Sequence, residues 1–107
     1  MTATIDLLPA DRSILLETLR THLAPNVKAW VFGSRATGTA RRYSDLDLAL
    51  EAESKLDTEQ LGRLRDALSE SDLTIKVDVL DLRAVDPDFK RIIANAMLPL
   101  PLDHADT

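Results

Sequence analysis

A chain of 107 residues is enough for one small domain and too few for two. Apolar residues make up 45% and aromatics 4%, so a core must come mainly from Leu, Ile, Val and Ala, and the absence of cysteine excludes disulfides and thiolate metal sites. Asp and Glu number 18 against 13 Lys and Arg, a net charge of −5, which argues against general binding of duplex nucleic acid because that needs a basic surface.

Residues 1–8 are a short lead-in. They hold Asp6 and no basic cluster, so no export signal is expected. No apolar run approaches the roughly 18 residues of a membrane span, so no membrane association is expected. With no cysteine to protect, a cytoplasmic location is the expectation. Over 9–24, Ile14, Leu15, Leu16, Leu19 and Leu23 recur at helical spacing. Pro9 suits the first turn, Asp11 can cap it locally, and Pro25 stops it. Over 27–32 both faces are apolar, with Val27, Ala29 and Val31 on one and Trp30 and Phe32 on the other. That predicts a strand covered, at least in part, on both sides. Gly33 ends the strand, 34–38 make one helical turn closed by Gly38, and 39–44 form a polar, basic loop.

Residues 45–50 alternate, with Leu46, Leu48 and Leu50 facing inward and Asp45, Asp47 and Ala49 on the open side. Two residues of strand set the carboxylates about 7 Å apart at the backbone. After a charged link over 51–56, Asp57 caps a helix to about residue 70, with Gln60 as its capping-box partner. Leu61, Leu64 and Leu68 form its buried face. Residues 73–80 alternate again, and Asp78 falls in mid-strand, where Asp is disfavoured. Asp86 and Pro87 open a last helix to about residue 97, with Phe89, Ile92, Ile93 and Ala96 as its stripe. Residues 98–102, Leu-Pro-Leu-Pro-Leu, must be extended. They either strap the chain's own core or dock a partner. The expected fold is therefore α/β in two layers (α+β), a small mixed sheet of about three strands with helices over one face. One domain spans 1–107, with its core over 9–98 and an extended tail over 99–107.

Phosphate needs outward N–H groups with no side chain in the way, and Gly33 at the head of a helical turn permits that approach. Ser34 adds a hydroxyl. Arg35 can reach a phosphate or stand in solvent. Mg²⁺ wants hard oxygen ligands, usually one or two carboxylates plus phosphate oxygens, which Asp45 and Asp47 can supply. A Gly-Ser turn or an Asp-x-Asp is weak alone. The pair at this spacing should arise by chance in roughly one chain per thousand of this length. Asp78 on the same layer makes a third carboxylate, and three without a cation would repel. Two metals there could clamp the oxygens of a phosphoryl displacement. His22 and His104 have no partners at triad or zinc spacing. Tyr43 can stack on a base or cover its loop, and the loop is the preferred reading because one aromatic specifies no pocket.

Gly33-Ser34, ten residues, Asp45-Leu46-Asp47 and then Asp78 resemble the signature of the polymerase-β-type nucleotidyltransferase fold. The stretch VFGSRATGTARRYSDLDLAL and the short chain resemble its minimal nucleotidyltransferase (MNT) branch, over about 9–98. The resemblance implies that Gly33 and Ser34 hold the phosphates of ATP; Arg35, next in the turn, is a further nucleotide-binding candidate from its position alone. It implies that Asp45 and Asp47 ligate Mg²⁺, and that Asp78 ligates a second Mg²⁺ and helps deprotonate the acceptor. Many such proteins are antitoxins that transfer AMP from ATP to a tyrosine hydroxyl of a HEPN-domain ribonuclease toxin, and that is the expected activity and partner. The same chemistry on a small hydroxylated molecule, or a non-catalytic module that masks the toxin, are the alternatives.

Overall fold

A computed structural model describes residues 4–102, and His104 and the rest of the expected tail over 103–107 lie outside them. Pro9 starts α1 (Pro9–His22), and Leu15, Leu19 and Leu23 are buried along one side of it. The chain then makes β1 (Lys28–Phe32), a single helical turn α2 (Ser34–Thr37), β2 (Leu46–Glu51), α3 (Thr58–Ser69), β3 (Val77–Asp81), α4 (Pro87–Ala94) and β4 (Leu98–Leu100). The sheet order is β3-β2-β1-β4. β1 runs antiparallel to β2 and β4, and β2 runs parallel to β3.

The sheet has four strands where the sequence suggested about three. Residues 98–102 are the reason. Leu98 to Leu100 pair with β1, with Pro99 opposite Trp30. Leu100 and Leu102 are buried in the main core, and Arg20 Nε donates to the Leu102 carbonyl. This segment straps the chain's own core. Its alternation of leucine with proline reads as a tail in sequence, but it buries every second side chain as an edge strand does. The strand around Asp78 is also shorter than its alternating pattern, since 73–76 is irregular.

The core divides by the two faces of the sheet. On one face Leu46, Leu48, Leu50, Val31 and Val79 pack with leucines of α1 and α3. The other face carries a smaller cluster, in which Ala49, Leu82 and Ile93 are joined by Trp30, Phe32, Leu80, Val85 and Met97. Helices thus cover both faces, not one. α4 covers its face only in part. Ile93 is buried, Phe89 meets Phe32 edge-on at 6.3 Å, and Ile92 stays exposed despite its place in the predicted stripe. On the outer edge of β3, Arg65 of α3 donates to the Val79 carbonyl at 2.8 Å.

The helix caps at Asp57 and Asp86 form as expected, accepting from the Glu59 and Asp88 amides. Two local expectations do not hold. Gln60 donates to the His22 carbonyl, tying α3 to the end of α1. Asp11 does not cap α1. It is buried, and it accepts from the Thr74 amide at 3.0 Å and from the Thr74 hydroxyl. This contact, 63 residues long in sequence, fixes the loop that leads into β3. Asp11→Ala would take the acceptor from the Thr74 amide and hydroxyl. We expect it to lower unfolding free energy by about 1–3 kcal/mol, with Asp11→Asn losing less, as read by urea titration.

Candidate active site

β1 delivers the chain to Gly33, whose φ of 74° and ψ of −157° lie where essentially only glycine is found. α2 begins there, with the Ala36 and Thr37 amides returning to the Gly33 carbonyl at 3.0 and 3.2 Å. The first amides of such a turn have no acceptor within it and face outward. The antiparallel register sets Phe32 opposite Asp47, one residue before Gly33. Gly33 therefore lies against the Asp47 carboxylate. A Cβ built on Gly33 would fall 3.2 Å from Asp47 Cγ and far inside contact with its Oδ2.

The parallel register of β2 with β3 sets Asp47 opposite Asp78. Asp45 stands just before β2, two residues from Asp47 and on the same side. The Asp47 carboxyl is pushed above its ordinary range, first by burial, then by Asp78, then by Asp45. All three carboxylates therefore share one field. Among the described residues they are nonetheless not gathered into a ready ligand set. Asp78 is half exposed and lies 3.7 Å from the ammonium of Lys76, its neighbour two residues back on the same face. Lys76 thus pairs with one of the three carboxylates. An exposed pair of this kind is worth about 0–1 kcal/mol, so it is easily given up. The oxygen donors fit Mg²⁺ in kind, and Lys76 is a participant that the period-two pattern could have revealed.

The raised Asp47 value has a consequence for stability. The folded chain keeps this proton to higher pH than the unfolded chain does. Metal-free stability should thus fall as pH rises from the ordinary carboxylate value through the raised one, and level off above it. Asp47→Asn removes that loss. We expect the stability gap between variant and parent, measured by urea unfolding in EDTA, to widen as pH rises above the ordinary carboxylate range. A gap constant with pH would mean that Asp47 ionises as it does in water.

Arg35 is buried, with 5% of its surface exposed, so it does not stand in solvent. Its guanidinium donates to the carbonyls of Asp6, Arg41, Arg42 and Ser44. Tyr43 is exposed, and Arg42 of its own loop lies 5.3 Å from its ring centre. His22 hydrogen-bonds the Thr18 carbonyl within α1. A cavity of about 660 Å³ lies at α3 and β3, lined by Arg65, Leu68, Ile75, Lys76 and Asp78 among others. It shares only Asp78 with the carboxylate group and does not include Gly33 or Ser34.

Residues 15–98 match the family described as "Polymerase beta, Nucleotidyltransferase". A relative from Haemophilus influenzae, named "Probable protein adenylyltransferase MntA", is 43% identical over 84 residues, covering 78% of this chain and 74% of its own. A chain of a crystal structure described as a toxin-antitoxin with AMP-PNP superposes with a TM-score of 0.70 at 28% identity, over 84% of this chain and 72% of that one. A complex of tri-AMPylated Shewanella oneidensis HEPN toxin with MNT antitoxin shares the fold, with a TM-score of 0.63 at 22% identity over 86% of this chain and 70% of that one. With the Gly-Ser turn, the paired strands and this match over most of its length, the chain belongs to the polymerase-β nucleotidyltransferase family.

Proposed function

We propose that this chain is an antitoxin that transfers AMP from ATP to a tyrosine hydroxyl of a HEPN-family toxin and so silences it. The observation that carries the reading is the contact of the Gly33 backbone with the Asp47 carboxylate, with Asp78 in register beside it. On this reading the phosphate-receiving turn and the metal-binding carboxylate would form one structural unit. The similarity to a relative named protein adenylyltransferase supports the reaction, and the similarity to a toxin-antitoxin chain solved with AMP-PNP supports nucleotide and partner.

In this reading Gly33 and Ser34 hold the β- and γ-phosphates. Asp45 and Asp47 would hold Mg²⁺, and Asp78 would hold a second. The metal supplies neutralisation of phosphate charge. The acceptor oxygen attacks the α-phosphorus, the bond to pyrophosphate breaks, and the hydroxyl proton passes to Asp78. We assign the whole chain, 1–107, to one catalytic domain. We place it in the cytoplasm, where ATP is available. Among the described residues no helix is long and apolar enough to cross a membrane.

The test is the intact mass of whatever co-purifies with the chain, before and after ATP and Mg²⁺ are added. A partner that gains about 329 Da per step, the mass of an AMP ester on a hydroxyl side chain, supports the proposal. A tight partner with no gain overturns transfer and leaves a masking module. A gain on an added small hydroxylated molecule, with no protein acceptor, overturns the protein substrate alone.

A further inference from the structure

The ten residues between the Gly-Ser turn and the carboxylate pair begin with Arg35 and end with Ser44. Their two ends are joined. Arg35 Nε and Nη2 both donate to the Ser44 carbonyl, at 3.0 and 2.9 Å. Nη2 also reaches the Arg42 and Arg41 carbonyls at 3.2 and 3.4 Å, and Nη1 reaches the Asp6 carbonyl at 2.8 Å. The Asp6 amide answers to the Arg35 carbonyl at 2.9 Å, and Ser44 Oγ accepts from the Arg41 amide at 2.8 Å. A buried guanidinium is costly unless its donors are met. Here, among the described residues, carbonyls meet them and no carboxylate pairs with it. Such an arrangement contributes geometry more than ionic energy.

We propose that Arg35 is a positioning residue, which closes the ten-residue loop and so fixes Asp45 and Asp47 relative to the Gly33–Ser34 turn. This rests on the site proposed above. Arg35 follows Ser34 directly, and Ser44 precedes Asp45 directly, so the fork spans from phosphate turn to carboxylate strand in one side chain. Misplacement of reacting groups by about 1 Å costs on the order of 10²-fold in rate. A lysine cannot replace the fork, because its ammonium is a single point with no planar pair of donors.

The experiment compares the parent with Arg35→Lys and Arg35→Met. For each, kcat and KM for ATP are measured with the toxin as acceptor, and backbone amide exchange is followed over residues 41–46. We expect both variants to lose kcat by about 10–100-fold with KM for ATP within about threefold. We also expect exchange at 41–46 to quicken tenfold or more. Retained activity in Arg35→Lys, with a large rise in KM in Arg35→Met and unchanged exchange in both, would make Arg35 a phosphate ligand and overturn the proposal. NMR of the unmodified chain needs no variant. The Arg35 Nε–H resonance should exchange slowly without nucleotide and stay in place on addition of AMP-PNP with Mg²⁺. Fast exchange that slows only with AMP-PNP would overturn the proposal too. Absence of transfer by the parent chain would defeat the proposed function and leave the exchange and NMR results to decide this one.

Discussion

Replacing Asp47 by Asn should cut AMP transfer by on the order of 10²–10³-fold or more while raising the melting temperature of the metal-free protein. Asparagine keeps the shape of the side chain and removes its charge. The first effect follows from the proposed role of Asp47, which would lose with its charge the ability to hold Mg²⁺ beside the phosphates. The second follows from burial and from the two nearby carboxylates, all of which oppose ionisation of Asp47. A variant that is both more stable and inactive separates chemistry from folding. Asp45→Asn should be equally inactive but nearly neutral in melting, because Asp45 is exposed. Parallel melts and transfer assays in EDTA and in Mg²⁺ read both effects. Turnover within tenfold of the parent in either variant would remove these carboxylates from the mechanism. Addition of Mg²⁺ and ATP should raise the melting temperature of the parent more than that of either variant.

Gly33→Ala should cost both fold stability and transfer. The backbone there has a positive φ and an extended ψ, a conformation that costs a side-chain-bearing residue about 1–3 kcal/mol. The new methyl would also strike the Asp47 carboxylate, so either Asp47 or the turn must move. Gly38 is the internal control. Its φ of 81° is also positive, but its ψ of 15° is left-handed helical, and a Cβ there meets nothing within 4 Å. Gly38→Ala should cost about 1 kcal/mol and Gly38→Asn less, with transfer kept. Urea unfolding and transfer rates of the three variants measure the contrast. Equal losses at Gly33 and Gly38 would mean that the contact with Asp47 has no part in the site.

The strands that carry Asp47 and Asp78 were legible because alternation of leucine with a polar residue is a local signal with a period of two. The same alternation placed these carboxylates on one layer, and the register then set them opposite each other. Asp45, Gly33 and Ser34 followed from spacing. Arg35 was not legible, since its character depends on carbonyls that only the folded loop brings together. Asp11 was read as a local cap because its partner, Thr74, is distant in sequence. α4 was read with its apolar stripe inward, but the eight-residue helix buries Ile93 and leaves Ile92 outside. β4 was read only as extended chain, because its prolines exclude a helix without marking a strand, and an edge strand tolerates them.

That edge proline has a consequence for how copies of the chain meet. Proline has no N–H, so the nitrogen of Pro99 must face away from β1, and the outward side of the three-residue β4 offers no donor at its centre. At the opposite margin Arg65 already occupies the Val79 carbonyl. Neither side of the sheet invites another strand to continue it. Copies that accumulate before finding a partner are thereby guarded against joining edge to edge into aggregates.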